Sequence, residues 1–217
     1  MFLPAQLARY KAVIFDMDGT LAHNIPYHKE SWLQMLQQHG ISMHINDFEA
    51  QNHGTGPEMV RRFFGEELPD DEVLALWQEK EEIYRELYRP HVAPVPGLLP
   101  LLAKLRASNV QIGLATMGIG ENIHFLLNEL AIQEYFTVVT RGDEVTKGKP
   151  DPEVYIKTLA KLGLAASDCV AVEDSVAGVE SAQKAGINVI ALTTSGPASD
   201  FQRHQPLQII ADFFAVL

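Results

Sequence analysis

The sequence predicts an α/β protein, a doubly wound and mostly parallel sheet with an all-helical segment inserted into it. Three observations predict this. From residue 98 onward, short apolar runs rich in β-branched residues alternate with helix-period segments, the pattern of parallel strands joined by crossover helices. A similar run, Ala12–Phe15, stands alone near the start. Between the two, residues 22–92 carry no strand-like alternation.

The elements follow in order. Ala12-Val13-Ile14-Phe15 is continuously apolar, as a strand buried on both faces must be, and it stops at Asp16 and the turn residues Asp18-Gly19. Tyr27, Trp32, Met35 and Leu36 recur at helical spacing, and Gly40 after His39 closes that helix. Met59, Phe63 and Phe64 mark a short helix ending near Gly65. Asp70-Asp71-Glu72 opens a long one, with acids in the first turn where the helix dipole favours them. That helix carries Val73, Leu76, Trp77, Ile83, Leu87 and Tyr88 and stops before Pro90. Helices are then expected at 98–107, 123–130, 152–162 and 176–185. Strands are expected at 110–115, 136–139, 169–172, 187–192 and 207–210. The predicted organisation is a discontinuous core, residues 1–22 and 93–217, interrupted by a helical segment at 23–92. Pro94-x-Pro96-Gly97 marks the second junction.

Composition narrows the function classes. The chain has 217 residues, 17 basic against 28 acidic, for a net charge of −11. Of these charges, 13 acids and 6 basic residues fall between residues 23 and 93, chiefly on the long helix, where they read as a solvated face. So acidic a chain does not suit the phosphate backbone of nucleic acid. Its single cysteine, Cys169, excludes an intramolecular disulfide and a cysteine–zinc cluster, and is read as core packing. No apolar stretch approaches the ~18 uninterrupted residues a membrane span needs. A cytoplasmic protein with no nucleic-acid, membrane or obligatory protein partner is expected. Gly142 to Gly148-Lys149 is not a P-loop, because five residues separate the glycines and Pro150 stands where a hydroxyl residue is required. Gly118-Ile119-Gly120 lacks the third glycine of a dinucleotide site.

Residues just past the strands carry the chemistry. In a parallel sheet these carboxyl ends meet on one rim, where ligands bind. Asp16-Met17-Asp18-Gly19-Thr20 follows the first strand, Thr116 the second, Lys149 the third, and Glu173-Asp174-Ser175 the fourth. Taken singly, Asp-x-Asp-Gly is often only a turn and Glu-Asp-Ser a helix cap. Taken together, two acid pairs, a hydroxyl and a lysine would share one cleft.

This conjunction resembles the haloacid dehalogenase superfamily of phosphoryl-transfer enzymes. The likeness runs through Phe15-Asp16-Met17-Asp18-Gly19-Thr20-Leu21, Leu114-Ala115-Thr116, Lys147-Gly148-Lys149-Pro150-Asp151-Pro152 and Val172-Glu173-Asp174-Ser175-Val176-Ala177-Gly178-Val179. The second motif is the weakest, with Met117 where the family often has Asn. The resemblance implies a Rossmann-like core with an α-helical cap, here residues 23–92. Pro26-Tyr27-His28 followed by Trp32 resembles the β-phosphoglucomutase-like branch. It implies that Asp16 is the nucleophile and that Asp18 is the general acid and base, while Gly19 brings backbone N–H groups to the phosphoryl oxygens. It further implies that Thr116 binds phosphate and Lys149 neutralises charge. It implies, too, a Mg2+ ion held by Asp16, the Asp18 carbonyl and Asp174, with Glu173 ligating directly or through water.

The resemblance leaves phosphatase and mutase to be separated. His28 favours a mutase-like cap, against a structural histidine with Trp32 as core. A mutase must also hold a second phosphate, and the aligned places carry His53 and Pro57, with Arg61 or Arg62 as substitutes; Gly54 and Gly56 suggest a substrate-facing loop. The segment from Met117 to Asn122 lacks the hydroxyl and lysine some mutases present. A phosphatase of a small phosphorylated metabolite is therefore expected, ahead of a β-phosphoglucomutase-type sugar mutase and a non-catalytic phosphometabolite-binding protein. Lys80, inside the acidic helix, is expected on the solvated surface, and Lys29 is tied to no chemistry.

Overall fold

The computed structural model describes residues 5–52 and 54–217. Their elements are α1 (Ala5–Ala8), β1 (Ala12–Phe15), α2 (Ile25–Gln38), α3 (Ile45–Gln51), α4 (Gly56–Phe64), α5 (Asp70–Tyr88) and α6 (Leu98–Ala107). There follow β2 (Gln111–Ala115), α7 (Gly120–Glu129), β3 (Val138–Thr140), α8 (Glu153–Leu162), β4 (Cys169–Glu173), α9 (Val176–Lys184), β5 (Asn188–Leu192), α10 (Ala198–Gln202) and β6 (Gln208–Ile210). Contacts divide the chain into two compact units, one of residues 1–23 with 92–217 and one of residues 24–91.

In the first unit all strands pair in parallel, in the order β3-β2-β1-β4-β5-β6. β1 lies between β2 and β4, so the chain winds outward from it in both directions. The carboxyl ends of β1, β2 and β4 therefore sit side by side at the switch point of the sheet. Alternation along β1 decides which layer each side chain joins. Ala12 and Ile14 pack with Val154, Tyr155, Val179 and Ala182 from α8 and α9. Phe15 turns away from that layer and meets Phe213 edge-on at 5.9 Å. Every residue of β1 and β4 is buried, which is why both read as uninterrupted apolar runs. Cys169 is buried, as expected.

The second unit is helical around Trp32, Met35, Leu36, Phe48, Met59, Val60, Val73 and Ile83. Asn24 caps α2 by position but gives its side-chain amide to the Tyr84 hydroxyl at 2.6 Å. Thr55 and Glu58 form a reciprocal capping box at the start of α4.

Several expectations need correction here. Lys80 is not on a solvated face. It is 2 % exposed and donates to His28 Nδ1 at 2.9 Å and Glu81 Oε1 at 3.1 Å. Its ammonium also lies 5.6 Å from the Trp32 and Tyr84 rings. A charged residue is buried only when paired, and a composition count cannot reveal the pairing. Glu81, counted with the solvated acids, is buried too. Gly54 and Gly56, read as a substrate-facing loop, also have local reasons to be glycine. Gly54 has φ +91°, and a Cβ on Gly56 would stand 2.2 Å from Trp77 Nε1. The helices α1, α3 and α10 were not foreseen, α7 begins at Gly120, and β3 begins at Val138. Phe136 and Thr137 instead lead into β3, with the Thr137 N–H already bound to the Ile112 carbonyl at 2.7 Å.

Lys80→Ala leaves buried acceptors without their cation and should lower stability by about 3 kcal/mol in urea denaturation. Lys29→Ala, from the more exposed pair with Glu49, should cost less than about 1 kcal/mol. Equal effects would show that Lys80 is not held as described.

Candidate active site

Asp16 follows β1 and is 7 % exposed; Glu173 ends β4 at 0 % and Asp174 follows at 4 %. One ligand oxygen from each can be chosen so that all three lie within 4.8 Å of one another. Lys149 reaches into this group from the loop after β3. Its ammonium donates to Asp16 Oδ1 at 2.6 Å, Glu173 Oε1 at 2.6 Å and the Ala115 carbonyl at 3.1 Å. Thr116 is 1 % exposed, and its Oγ1 accepts from the Gly118 N–H at 2.9 Å. Asp18 is half-buried, and Met117 follows Thr116. Asp18 Oδ2 and Thr116 Oγ1 lie 3.6 and 3.2 Å from the point where a Cβ on Gly118 would sit, so they flank the same glycine.

Two glycines make room for the acids. Gly19 has φ +78°, and a Cβ there would fall 1.9 Å from Asp174 Oδ2. A Cβ on Gly178, in the first turn of α9, would fall 1.9 Å from Glu173 Oε2. Ser175 caps α9 by accepting from the Gly178 N–H at 3.1 Å, so the local reading of Glu-Asp-Ser also holds.

Sequence reasoning missed three side chains. Tyr155 of α8 is fully buried and donates its hydroxyl to Glu173 Oε1 at 2.5 Å. Ser195 donates to Asp174 Oδ2, and Thr194 donates to the Gly19 carbonyl at 2.5 Å. The signal for the last two was available, because they follow β5, whose carboxyl end joins the same rim. Tyr155 gave no signal, since a tyrosine on the inner face of a helix reads as core.

Charge in this cluster is unbalanced. Burial raises the Asp16 carboxyl well above the ordinary range; Lys149 opposes this, and Glu173 and Asp174 reinforce it. Burial and the neighbouring Glu173 raise Asp174 to about 7, although the Ser195 hydrogen bond works the other way. Burial disfavours the charge on Lys149, but Asp16 and Glu173 outweigh it and hold the ammonium above the usual lysine range. Glu173 Oε2 is buried with no hydrogen-bond partner. An orphaned carboxylate oxygen inside an all-oxygen acidic cluster fits a hard divalent cation.

The matching family model is that of haloacid dehalogenase-like hydrolases, over residues 13–192. The chain belongs to this family. This haloacid dehalogenase-like hydrolase is 30% identical over 185 residues to a phosphorylated carbohydrates phosphatase of Thermotoga maritima, covering 83% of each chain. It is 30% identical over 195 residues to a β-phosphoglucomutase of Bacillus subtilis, covering 86% of this chain and 85% of the relative. A solved hydrolase of the same family from Entamoeba histolytica superposes with a TM-score of 0.87 at 25% identity, over 95% of both chains. The relatives named here are a phosphatase and a phosphoglucomutase, which supports activity on phosphate esters.

Among the described residues, the other predicted ones, His28, Arg61 and Arg62, lie in the second unit. His28 stacks on Tyr84 with centroids 3.7 Å apart and is bound by Lys80. Arg61 is committed to the carbonyls of Glu66 and Leu68 at 3.1 and 2.5 Å and to Asp70 at 2.5 Å. Arg62 donates to the Gln51 carbonyl at 2.9 Å. His53 lies outside the described residues. Among the described residues no helix is long and apolar enough to cross a membrane.

The raised carboxyls give a pH dependence of definite sign. A group whose pKa rises on folding holds its proton longer in the native state. The native protein then binds more protons than the unfolded chain between about pH 4 and about pH 7, and stability falls as pH rises through that window. Glu144 and Glu153, both lowered, act with the opposite sign only at more acid pH. Without divalent cations, the melting temperature should fall between pH 5 and pH 7.5. Asp174→Asn should flatten that fall and melt above the parent at pH 8. A variant less stable than the parent at pH 8 would contradict the assignment.

Proposed function

We propose that the protein is a Mg2+-dependent phosphatase of a small phosphorylated metabolite, a sugar phosphate or a similar ester, acting through an aspartyl-phosphate. The observation that carries this reading is the buried triad Asp16, Glu173 and Asp174, served by one lysine and containing an orphaned oxygen. In this reading Asp16, Asp174 and the Asp18 carbonyl would hold Mg2+, with Glu173 ligating directly or through water. Bound there, Mg2+ screens the repulsion between carboxylate and phosphate and offsets charge in the transition state.

Asp16 attacks phosphorus, so a carboxylate–phosphorus bond forms as the ester oxygen departs. Asp18 gives its proton to that oxygen and becomes a base. It then takes a proton from water, which attacks the aspartyl-phosphate, frees phosphate and restores Asp16. Thr116 and backbone N–H groups near Gly19 bind the phosphoryl oxygens. Lys149, held charged by its neighbours, stabilises the charge that builds on them. We assign substrate selection to the helical residues 24–91, acting as a cap.

Arg61 supports a phosphatase over a mutase, because its guanidinium already has three acceptors and is not free for a second phosphate. The His28–Lys80 pair and the name of the Bacillus relative favour the mutase as the second reading. A non-catalytic binding protein is the third.

A phosphoester panel with and without Mg2+ tests the reading. Turnover should require the cation, and Asp16→Asn should lower it by about four orders of magnitude. Full activity in that variant would sink the mechanism. With β-glucose 1-phosphate and a trace of the bisphosphate, free phosphate should appear faster than glucose 6-phosphate. The reverse order would make the protein a mutase.

A further inference from the structure

The loop after β5 is a fifth strand end at the same rim, and it is tied there at several points. The Thr194 hydroxyl donates to the Gly19 carbonyl at 2.5 Å, and the Thr194 carbonyl meets His23 Nε2 at 2.9 Å. The Thr193 N–H is bound to the Ile210 carbonyl at 2.9 Å. These bonds deliver the Ser195 hydroxyl to Asp174 Oδ2. They also need a bare backbone beneath, since a Cβ on Gly19 would stand 2.7 Å from Ser195 Oγ and 1.9 Å from Asp174 Oδ2. Gly19 thus has a second reason to be glycine. It lets a hydroxyl from one strand end reach a carboxylate from another.

We propose that Ser195 is a positioning residue that restricts Asp174 to offering one oxygen to a divalent cation, so that the site favours Mg2+ over Ca2+. The inference rests on the proposed cation site. Its logic is coordination chemistry. Mg2+ is small and demands near-octahedral geometry with few protein oxygens, whereas Ca2+ takes six to eight oxygens and accepts both oxygens of a carboxylate. A hydrogen bond to Oδ2 opposes two-oxygen binding and fixes the rotation of the carboxyl group. Groups that orient a ligand in this way commonly change metal affinity about 10- to 100-fold when removed. Ser195 touches no reacting atom in this account; it acts through Asp174.

The test is direct binding of Mg2+ and of Ca2+ to the substrate-free full-length protein by titration calorimetry, with the parent, Ser195→Ala and Ser195→Thr. Ser195 is exposed, so both variants should keep the parent's circular dichroism. Ser195→Ala should bind Mg2+ about 10-fold more weakly, while Ca2+ affinity changes less than about threefold, so selectivity narrows. Ser195→Thr keeps the hydroxyl and should restore both values. A parent that binds Mg2+ alongside a Ser195→Ala protein unchanged toward both cations would overturn the role of Ser195 alone. A parent that binds neither cation would overturn the cation site itself and this inference with it.

Discussion

Lys149 brings one ammonium to a cluster of three buried carboxylates and bonds two of them, Asp16 and Glu173, each at 2.6 Å. Three negative charges with one positive partner cannot be buried at rest without some compensation. The raised carboxyls of Asp16 and Asp174 are one form of it, as burial and the neighbouring acids favour the protonated form. Hydrogen bonds from Tyr155 and Ser195 are another. A divalent cation would be the third, and its presence would return the acids to the charged state that phosphoryl chemistry requires. The charge imbalance of the cluster is thus the property that suits it to a hard divalent cation.

The fold meets this constraint by topology. Because β1 lies between β2 and β4, Asp16, Thr116 and Glu173 leave adjacent strand ends, and no long connection is needed to assemble them. Gly19 and Gly178 then leave out the Cβ atoms that would collide with the Asp174 and Glu173 carboxylates. On the proposed function, an acidic protein would meet an anionic ester locally, through Lys149, backbone N–H groups and the divalent cation at one rim, while the wider surface charge is screened by salt.

Much of this was legible in the chain. Short apolar runs located β1, β2, β4 and β5 to within a residue or two, because strands buried on both faces leave no polar positions to blur them. Asp16, Thr116, Lys149 and Glu173-Asp174 were legible because each lies at or after the carboxyl end of a strand and the sheet is parallel. Lys80 was not, since its burial depends on His28, 52 positions away, and no local pattern encodes that pairing. Tyr155 was hidden for a similar reason, its apolar ring packing in the core while its hydroxyl serves Glu173. The short helices α3 and α10 escaped because so few turns hold little periodic signal.

The central claim is that Asp16, freed from its protons and steadied by Lys149 and a divalent cation, accepts a phosphoryl group. Fluorine NMR of the protein with beryllium trifluoride, a mimic of the phosphoryl group, tests this most directly. The account predicts bound fluorine resonances that require Mg2+ and are absent in Asp16→Asn. Bound resonances that persist unchanged in Asp16→Asn, or none in the parent with both ions present, would contradict it.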